Sequence, residues 1–387
     1  MLVWIVNPFD TLPAEGSRPL RFWLMAEAFV RAGHEVVYWT ADFNHVTKKA
    51  RKLDESPRPE SGIKVEMVHE PPYSRNVGLA RLWAHWRWAK NWRRAAERAP
   101  HPGLIVVSSP PLAIGAEVRR FAAKCGAKVV VDVMDAWPET FERVAPRCTL
   151  WPLRRLARAN YLGADVVTTV ADNYAELVRK YGCKSPVRRF YHGIEISGSA
   201  FGASASPRAS GARIVYVGNL GMTYDLVTAM EAVLFLDGVS LEIAGKGDGE
   251  AALRQFAESP KFCGRVSFRG YLGEAELAEL LASCDIGIVP MAPESCVGVP
   301  YKFADYARSG LAVVSSLGGE SDKLLAKYGA GASYRVGDPQ SLAESVRRLL
   351  PRLAETKAAS RRLAEGEFDA ERIYDEYVRF ALSPSGV

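Results

Sequence analysis

VPMAPESCVGVPYKFADYARSG, residues 289–310, contains the strongest structural signal in the chain. It starts at the end of an apolar run, crosses a loop with Gly298 and Val299, and continues as a helical pattern from Pro300 to Gly310. Proline suits the first turn of a helix, and glycine suits the position just past its end. A strand, a loop and a helix in this order form the repeating unit of parallel sheets.

The same unit recurs on both sides of this stretch. Short apolar, β-branched runs alternate with amphipathic segments along nearly the whole sequence, which predicts an α/β fold with parallel sheets covered by helices. The predicted strands are Leu2–Val6, Glu35–Thr40, Leu104–Ser108, Lys128–Val133, Val166–Val170, Arg213–Val217, Ser240–Ala244, Val266–Arg269, Ile286–Val289 and Ala312–Ser315.

The length of 387 residues is too great for one ordinary domain. Residues 198–211 are small, polar and glycine-rich, as expected of a linker. We therefore predict a first Rossmann-like domain over residues 1–195, a linker over 196–211 and a second Rossmann-like domain over 212–365. Residues 366–387 are predicted to be a helix that crosses back to the first domain. Two such domains enclose a cleft, and ligands bind beyond the carboxyl ends of parallel strands.

Composition narrows the class of protein. The hydrophobic content of 48% and the charged content of 24% are those of a globular chain. The net charge of +6 is uneven, because residues 1–190 carry 30 Lys and Arg against 19 Asp and Glu, a net +11. The first half is therefore expected to face an anionic partner. Nucleic acid is disfavoured, since no helix-turn-helix, RNP or finger signature is present.

Several features bear on the compartment. The six cysteines form no CxxC pair, the N-terminus breaks at Asn7-Pro8, and no apolar run approaches the ~18 residues of a membrane span. These features predict a cytosolic protein. Residues 79–96 form a basic, tryptophan-rich helical segment, which suits either a core helix of the first domain or a helix lying on the inner face of the cell membrane.

The helix after Pro300 is a candidate site for a diphosphate, because free N–H groups and the positive end of the helix dipole meet there. Lys302 lies in the first turn, where a cation opposes the dipole unless an anion is nearby, and Asp305 can accept hydrogen bonds from ribose hydroxyls. The alternative is a capped surface helix. Gly218-Asn219-Leu-Gly221 and Ala244-Gly-Lys246-Gly-Asp248 are further strand-end loops that let a backbone approach phosphate closely, or else plain tight turns. Neither is a complete GxGxxG or GK[ST] motif, so a dehydrogenase or an NTPase is not supported.

Candidate residues of the first domain also follow strands. Asp135 comes after Lys128–Val133 and can orient an acceptor hydroxyl or act as a base, unless it caps a turn. Trp137, followed by Pro138, can offer a stacking face to a sugar. The long first loop, residues 7–17, contains Gly16 and can close on a substrate, or is an ordinary surface loop.

The order of these pieces resembles retaining glycosyltransferases of family 4, which have the two-domain GT-B fold. The matching segments are residues 33–36, 108–111, 132–139, 192–195, 218–221 and 300–310. The branch it resembles most is the bacterial polysaccharide and O-antigen type, which has an Asp-x-Trp-Pro-Glu loop. The resemblance implies that the first domain, residues 1–195, binds the acceptor and that the second, residues 212–365, binds the nucleotide sugar. It places Trp137 and Glu139 on the acceptor side.

The resemblance implies a retaining, metal-independent transfer from a nucleotide-diphosphate sugar to a glycan or lipid-linked acceptor, with no cofactor. The family has two glutamates eight residues apart, one near the transferred sugar and one on the ribose. Here Asp305 takes the second place and Glu294 is the nearest candidate for the first, although their spacing is eleven. Asn219, Lys246 and Lys302 stand in for the family's diphosphate-binding Arg and Lys. A non-catalytic sugar-nucleotide or glycan-binding protein and a GT-B epimerase remain alternatives.

Overall fold

A computed structural model describes residues 1–51, 62–76, 78–143, 145–196, 211–221, 223–293 and 296–383. The predicted linker falls almost wholly outside these residues. By its internal contacts the chain divides into two units, Met1–Gly193 with Ala370–Val387 and Ile194–Asp369. The C-terminal return to the first unit thus begins at Ala370, after the predicted residue 366.

The first unit is built on a seven-stranded parallel sheet, in the order β5-β2-β1-β6-β7-β8-β9. Its strands are β1 (Leu2–Val6), β2 (Glu35–Ala41), β5 (Ile63–Val68), β6 (Leu104–Ser109), β7 (Lys128–Val133), β8 (Val166–Thr169) and β9 (Val187–Arg189); β3 (Phe43–Asn44) and β4 (Lys49–Ala50) form a separate antiparallel pair. Its helices are α1 (Arg21–Arg31), α2 (Leu79–Ala96), α3 (Leu112–Cys125), α4 (Trp151–Leu162), α5 (Asp172–Lys180) and α13 (Ala370–Leu382).

The core of the first unit is rich in tryptophan. Trp4 on β1 stacks on Phe121 at 5.2 Å between ring centroids and meets Trp39 and Trp92 edge-on. Trp88 and Trp92 of α2 are fully buried, whereas Trp83 and Trp86 are exposed. Helix α2 therefore serves the core with one side and leaves an aromatic side open to solvent.

A buried ion pair joins α1 to β7. Arg21 donates from Nε and Nη2 to the two carboxylate oxygens of Asp132 at 2.9 and 2.8 Å, and from Nη1 to the carbonyls of Phe190 and Tyr191. Both side chains of the pair are fully buried. Asp132 is thereby committed to the structure of the first unit.

The second unit has a six-stranded parallel sheet, in the order β12-β11-β10-β13-β14-β15. Its strands are β10 (Arg213–Val217), β11 (Ser240–Ala244), β12 (Val266–Gly270), β13 (Ile286–Val289), β14 (Ala312–Ser315) and β15 (Gly331–Ser333). Its helices are α6 (Leu226–Ala232), α7 (Glu250–Ala257), α8 (Glu274–Ala282), α9 (Tyr301–Arg308), α10 (Glu320–Tyr328), α11 (Pro339–Leu349) and α12 (Leu353–Glu367). All strand pairs of this sheet are parallel, and burial on both faces accounts for the apolar runs of β13 and β14.

Candidate functional site

The second sheet has a topological switch point between β10 and β13. From β10 the chain moves outward through β11 and β12, and from β13 it moves the other way through β14 and β15. Loops that leave two neighbouring strands in opposite directions open a crevice beyond the carboxyl ends, which is where open α/β sheets bind ligands. Here those loops are residues 218–225 and 290–300. They are tied together, since Asp225 N donates to Pro290 O and Ala292 N to Thr223 O.

Helix α9 is anchored at this switch point through Tyr306. The Tyr306 hydroxyl accepts a hydrogen bond from Val217 N at the end of β10, at 2.8 Å. Its ring lies on Gly287 of β13, where a Cβ atom would come within 2.3 Å of it. The helix is thereby held across β10 and β13, and its first turn is brought to the loop after β10.

The two glycine loops pack against each other. Gly218 N donates to Ala244 O and Leu220 N to Lys246 O, and a Cβ on Gly245 would lie 1.8 Å from Gly218 O. Gly218 and Gly245 also have φ angles of 145° and 140°, which side chains rarely adopt. Contact between the two loops is therefore enough to require glycine at position 245.

Lys302 projects from the first turn of α9 beneath Gly218. A Cβ on Gly218 would lie 2.6 Å from Lys302 Nζ. The ammonium nitrogen is 4.0 Å from the centroid of the Tyr216 ring and 3.4 Å from that of Tyr224. This nitrogen is inaccessible to solvent, and no described residue accepts a hydrogen bond from it. Other atoms of Lys302 are partly exposed. Burial lowers the pKa of Lys302 well below its usual value.

The start of α9 differs by one residue from the prediction. Pro300 is the N-cap, with extended backbone, and the helix begins at Tyr301. Gly298 and Val299 are buried immediately before it. Asp305 lies one turn after Lys302, partly buried, with its Oδ1 3.6 Å from Arg308 Nη2. The order along the helix therefore places a cation first and a carboxylate one turn later.

The other donor-side candidates are spread more widely. Asn219 and Lys246 are exposed on the paired glycine loops, and Lys246 Nζ is 5.9 Å from the centroid of the Tyr271 ring. Glu294 lies outside the described residues. Gly16 belongs to the first unit, where it ends the short helical turn Pro13–Glu15 at an exposed position with a φ of 76°.

In the first unit, Asp135 fastens its own loop. Its carboxylate accepts hydrogen bonds from Ala136 N at 2.8 Å, from Trp137 Nε1 at 3.1 Å and from Thr140 Oγ1 at 3.1 Å. Burial raises its pKa despite these donors. Because both oxygens are used within the loop, the geometry favours the turn-capping alternative over the base that we predicted for Asp135.

Trp137 and Glu139 are also engaged inside the first unit. Trp137 is only 3% exposed, and the Arg81 guanidinium lies 4.9 Å from its ring centroid. The predicted open stacking face is therefore wrong, since the ring is covered by protein. Glu139 accepts a hydrogen bond from the Tyr181 hydroxyl at 2.5 Å and lies 3.5 Å from Arg154 Nε.

The sequence did not point to a buried polar cluster beside this tryptophan. Glu70 follows β5, while Arg81 and His85 lie one turn apart on α2. Phe9 and Tyr73 surround His85, with ring centroids at 5.2 and 5.8 Å. Arg81 and His85 both lie within residues 79–96, and the basic, tryptophan-rich pattern of that segment gives no signal for a polar cluster. Among the described residues, no group of three or more metal-ligating side chains could hold a metal ion.

The architecture places the protein in a structural class. It is α/β, with two parallel sheets of seven and six strands, as in glycosyltransferases of the GT-B fold. Sucrose-phosphate synthase from Thermosynechococcus elongatus superposes with a TM-score of 0.78 at 13% identity, covering 98% of this chain and 97% of that one. Anabaena HepE in complex with UDP and glucose gives 0.71 at 14% identity, covering 98% of each chain. The lipopolysaccharide outer core galactosyltransferase WaaB gives 0.66 at 14% identity, covering 99% of each.

Sequence families assign the two units more specifically. Residues 20–192 match the family model described as "Glycosyl transferase 4-like domain", and residues 211–352 match "Glycosyl transferases group 1". The chain thus carries two glycosyltransferase domains, one in each unit. No curated protein sequence matches the chain significantly.

Proposed function

We propose that this protein is a retaining, metal-independent glycosyltransferase that moves a sugar from a nucleoside-diphosphate donor to a glycan or lipid-linked acceptor. The glycosyltransferase domains support the general activity. The likeness to HepE, whose structure contains UDP and glucose, supports a nucleotide-sugar donor. A hexosyl donor is part of the proposal, and so is a role in bacterial polysaccharide synthesis.

The observation that carries the proposal is that no described residue accepts a hydrogen bond from the Lys302 amine. A buried amine with no hydrogen-bond acceptor is costly, and the cost is explained if a ligand supplies the acceptor. Lys302 lies at the switch point, beneath a glycine loop and in the first turn of α9, where an anion gains from the helix dipole. A pyrophosphate seated there would meet the amine and favour its charged form.

The remaining donor contacts follow from the order along α9. Asp305, one turn after Lys302, would accept hydrogen bonds from the ribose hydroxyls. Asn219 and Lys246 on the glycine loops would reach the phosphates from the other side, and Gly298 and Val299 would line the approach with backbone. Glu294 remains our candidate for the carboxylate beside the transferred sugar.

Chemically, the bond between the sugar and the diphosphate breaks, and negative charge builds up on the leaving phosphate. Protein cations and amide groups that are already in place stabilise such charge without reorganisation. In the proposed reaction, Lys302 and the amides at the start of α9 do this in place of a metal ion. The acceptor hydroxyl would attack from the face that the leaving group vacates and pass its proton to the departing phosphate oxygen, and the anomeric configuration would be retained.

Nucleotide binding by the full chain tests the donor site. UDP, GDP, ADP and dTDP would be screened by thermal shift, and the best ligand would be titrated calorimetrically against the wild type and Lys302→Met. Lys323→Met, at an exposed position on α10, is the matched control. We expect one nucleotide to bind, Lys302→Met to weaken it, and the control to leave it unchanged. If no nucleotide binds, or if Lys302→Met binds as tightly as the wild type, the donor assignment is wrong.

The corresponding nucleotide sugars separate the three kinds of activity. Release of the nucleotide with transfer or hydrolysis of the sugar supports the transferase. Binding with no turnover across acceptors would support the non-catalytic binding protein. Interconversion of two sugar epimers, followed by NMR, would identify the epimerase instead.

We further propose that the first unit contacts anionic lipid through its α2–α4 surface, the exposed side of α2, α3 and α4. Helix α3 packs against both α2 and α4. These helices carry five, three and three basic residues respectively and a single acid, Glu117, which is buried. Trp83, Trp86 and Trp151 are 55%, 48% and 58% exposed on the same helices. Exposed tryptophan among basic side chains is the composition of interfacial helices. No helix among the described residues is long and apolar enough to span a bilayer.

Vesicle flotation tests this surface. The wild type should float with phosphatidylglycerol vesicles at low salt and less at high salt. With phosphatidylcholine vesicles it should remain in the bottom fraction of the gradient. The triple variant of Trp83, Trp86 and Trp151 to serine should lose most of this binding. Tyr271→Ser, at an exposed aromatic position of the second unit, is the control. Equal flotation of the triple variant and the wild type would contradict the proposal.

A further inference from the structure

The Lys302 amine lies in an enclosure of aromatic rings and backbone. The rings of Tyr216 and Tyr224 form two of its sides, with centroids 5.5 Å apart and planes at 62° to each other. Gly218 forms a third side, because a Cβ atom there would lie 2.6 Å from the nitrogen. The Tyr216 hydroxyl donates to Asn219 O at 2.7 Å. The amine therefore meets ring faces and backbone, and none of the described residues accepts a hydrogen bond from it.

The phenols around this enclosure are neutral. Burial raises the pKa of Tyr216, and it raises that of Tyr224 to about 12, so both keep their protons at neutral pH. Tyr306, one turn further along α9, also has a pKa raised well above its usual value by burial, and its hydroxyl accepts from Val217 N. These rings can attract a cation weakly but cannot neutralise one.

The carboxylates that lie near this enclosure along the chain are engaged with other groups. Asp225, next to Tyr224, accepts hydrogen bonds from Thr228 N at 3.0 Å and from Thr228 Oγ1 at 2.6 Å. Asp305, one turn after Lys302, lies 3.6 Å from an Arg308 nitrogen. Burial lowers the pKa of Lys302, and no charged group in the described part of the chain adds to or opposes that shift. The amine thus has no counter-ion there.

In this setting the charged form of the amine is the costly one. An ammonium ion buried without a hydrogen-bond acceptor loses its hydration and gains no equivalent contact. Attraction to the faces of two aromatic rings returns only part of that loss. The positive end of the α9 dipole adds repulsion, since Lys302 lies in the first turn of the helix. The uncharged amine avoids these costs, so the empty site favours it.

A nucleoside diphosphate would reverse this preference. Its pyrophosphate brings negative charge and acceptor oxygens, and both favour the charged form of an amine beside them. The last proton of a terminal phosphate has a pKa of about 6, so at pH 8 the free nucleotide has already lost it. The proton that charges the amine must then come from the solvent.

We infer that the Lys302 amine is neutral in the empty protein and takes up one proton from solvent when a nucleoside diphosphate binds. In this step the nitrogen lone pair forms a bond to the proton, and the resulting ammonium donates to the pyrophosphate oxygens. This proton linkage rests on the proposed function, because the pyrophosphate is that of the sugar donor. It makes the affinity for the nucleotide fall as the pH rises, since each binding event consumes a proton.

Calorimetric titration of the full chain counts the protons. UDP, GDP, ADP and dTDP are titrated at pH 8 in HEPES and in Tris, because the different ionisation enthalpies of these buffers reveal a proton taken from them. We expect the wild type and Lys323→Met, the exposed control on α10, to take up about one proton per nucleotide. Their dissociation constants should rise about tenfold between pH 7.5 and 8.5. Lys302→Met should take up close to none.

Urea unfolding of the empty protein assigns the proton to Lys302 without any ligand. The amine has a pKa of 10.5 when unfolded and a much lower one when folded, so between these values the unfolded chain binds one proton more. Stability therefore rises with pH across this window. The unfolding equilibrium constant of the wild type, divided by that of Lys302→Met, should fall about tenfold for each pH unit from 7.5 to 9.5.

The outcomes separate this linkage from the donor assignment. If a nucleotide binds but the wild type takes up no more protons than Lys302→Met, or if the two unfolding profiles run parallel, the amine is already charged between the rings. The linkage is then overturned and the donor site stands. If the profiles diverge as expected but no nucleotide binds, the amine is neutral for a structural reason, and the donor assignment and the linkage both fail.

Discussion

Replacing Lys302 by methionine should move stability and ligand affinity in opposite directions. In the empty protein the amine has no hydrogen-bond acceptor among the described residues and is enclosed by Tyr216 and Tyr224. An unsatisfied buried polar group costs about 1–3 kcal/mol, and methionine would replace it with a thioether that packs well against aromatic rings. We therefore expect Lys302→Met to raise the free energy of unfolding by about 1–2 kcal/mol.

The same change removes a charged contact to the pyrophosphate. Hydrogen bonds to charged groups contribute about 1.5–3 kcal/mol, which corresponds to roughly 10- to 150-fold in the dissociation constant of the nucleotide. Few substitutions in a folded core raise stability and weaken ligand binding at once. A rise in the free energy of unfolding together with a loss of nucleotide affinity would therefore identify Lys302 as a buried group that serves a ligand.

Two measurements on the same preparations decide the matter. Urea denaturation followed by circular dichroism gives the free energy of unfolding, and calorimetric titration gives the affinity for the nucleotide. Lys323→Met should change the free energy of unfolding by no more than about 0.5 kcal/mol, as surface substitutions usually do, and should leave the affinity unchanged. If Lys302→Met lowers stability and leaves nucleotide affinity unchanged, Lys302 is a structural residue and the reasoning fails.

Three further predictions concern particular groups. Asp132→Asn should lower the free energy of unfolding by about 3–5 kcal/mol in urea, because the buried Arg21 guanidinium loses its counter-ion; a loss below about 1 kcal/mol would contradict the assigned role. Gly245→Ala should destabilise the second unit and abolish nucleotide binding, because its Cβ would lie 1.8 Å from Gly218 O; an alanine variant with normal calorimetric binding would show that the loops do not need this contact. Glu70 keeps its proton to about pH 8 when folded but loses it near 4.5 when unfolded, so the unfolded state is increasingly favoured as the pH rises between these values. Glu70→Gln should flatten that decline in the free energy of unfolding, and an identical pH profile in urea titrations of the two proteins would refute it.

Much of the fold is determined locally. The strands Lys128–Val133, Ser240–Ala244, Ile286–Val289 and Ala312–Ser315 have the same bounds in the prediction and in the structure, because each is a short apolar run bounded by loop residues. Strands β5, β9 and β15 were not predicted from the sequence. β5 and β9 contain exposed charged residues, and β15 is only three residues of Gly, Ala and Ser. Such segments become strands by pairing with a neighbour already in place.

In the candidate site, too, some features could be predicted from the local sequence and others only from the folded structure. The sequence alone identified α9, with Lys302 and Asp305 on it, because a strand, a loop, a proline and a helix are local signals. It could not show that Lys302 has no hydrogen-bond acceptor in the part of the chain that the structure describes, or that Gly245 is packed against Gly218. Those facts depend on contacts between loops that follow different strands.

The first unit shows the contrast most clearly. From the sequence after β7 we predicted that Asp135 is a base, orients an acceptor hydroxyl or caps a turn, and that Trp137 offers a stacking face to a sugar, since ligands bind where parallel strands end. In the folded chain Arg81 lies over the Trp137 ring, and Asp135 accepts hydrogen bonds within its own loop. Glu70 is buried beside His85. Residue types and their order along the chain determined which elements form and where strands end. Which side chains are covered, paired or left unpaired was decided only when segments distant in sequence were packed together, because burial is a property of neighbours that the local sequence does not contain.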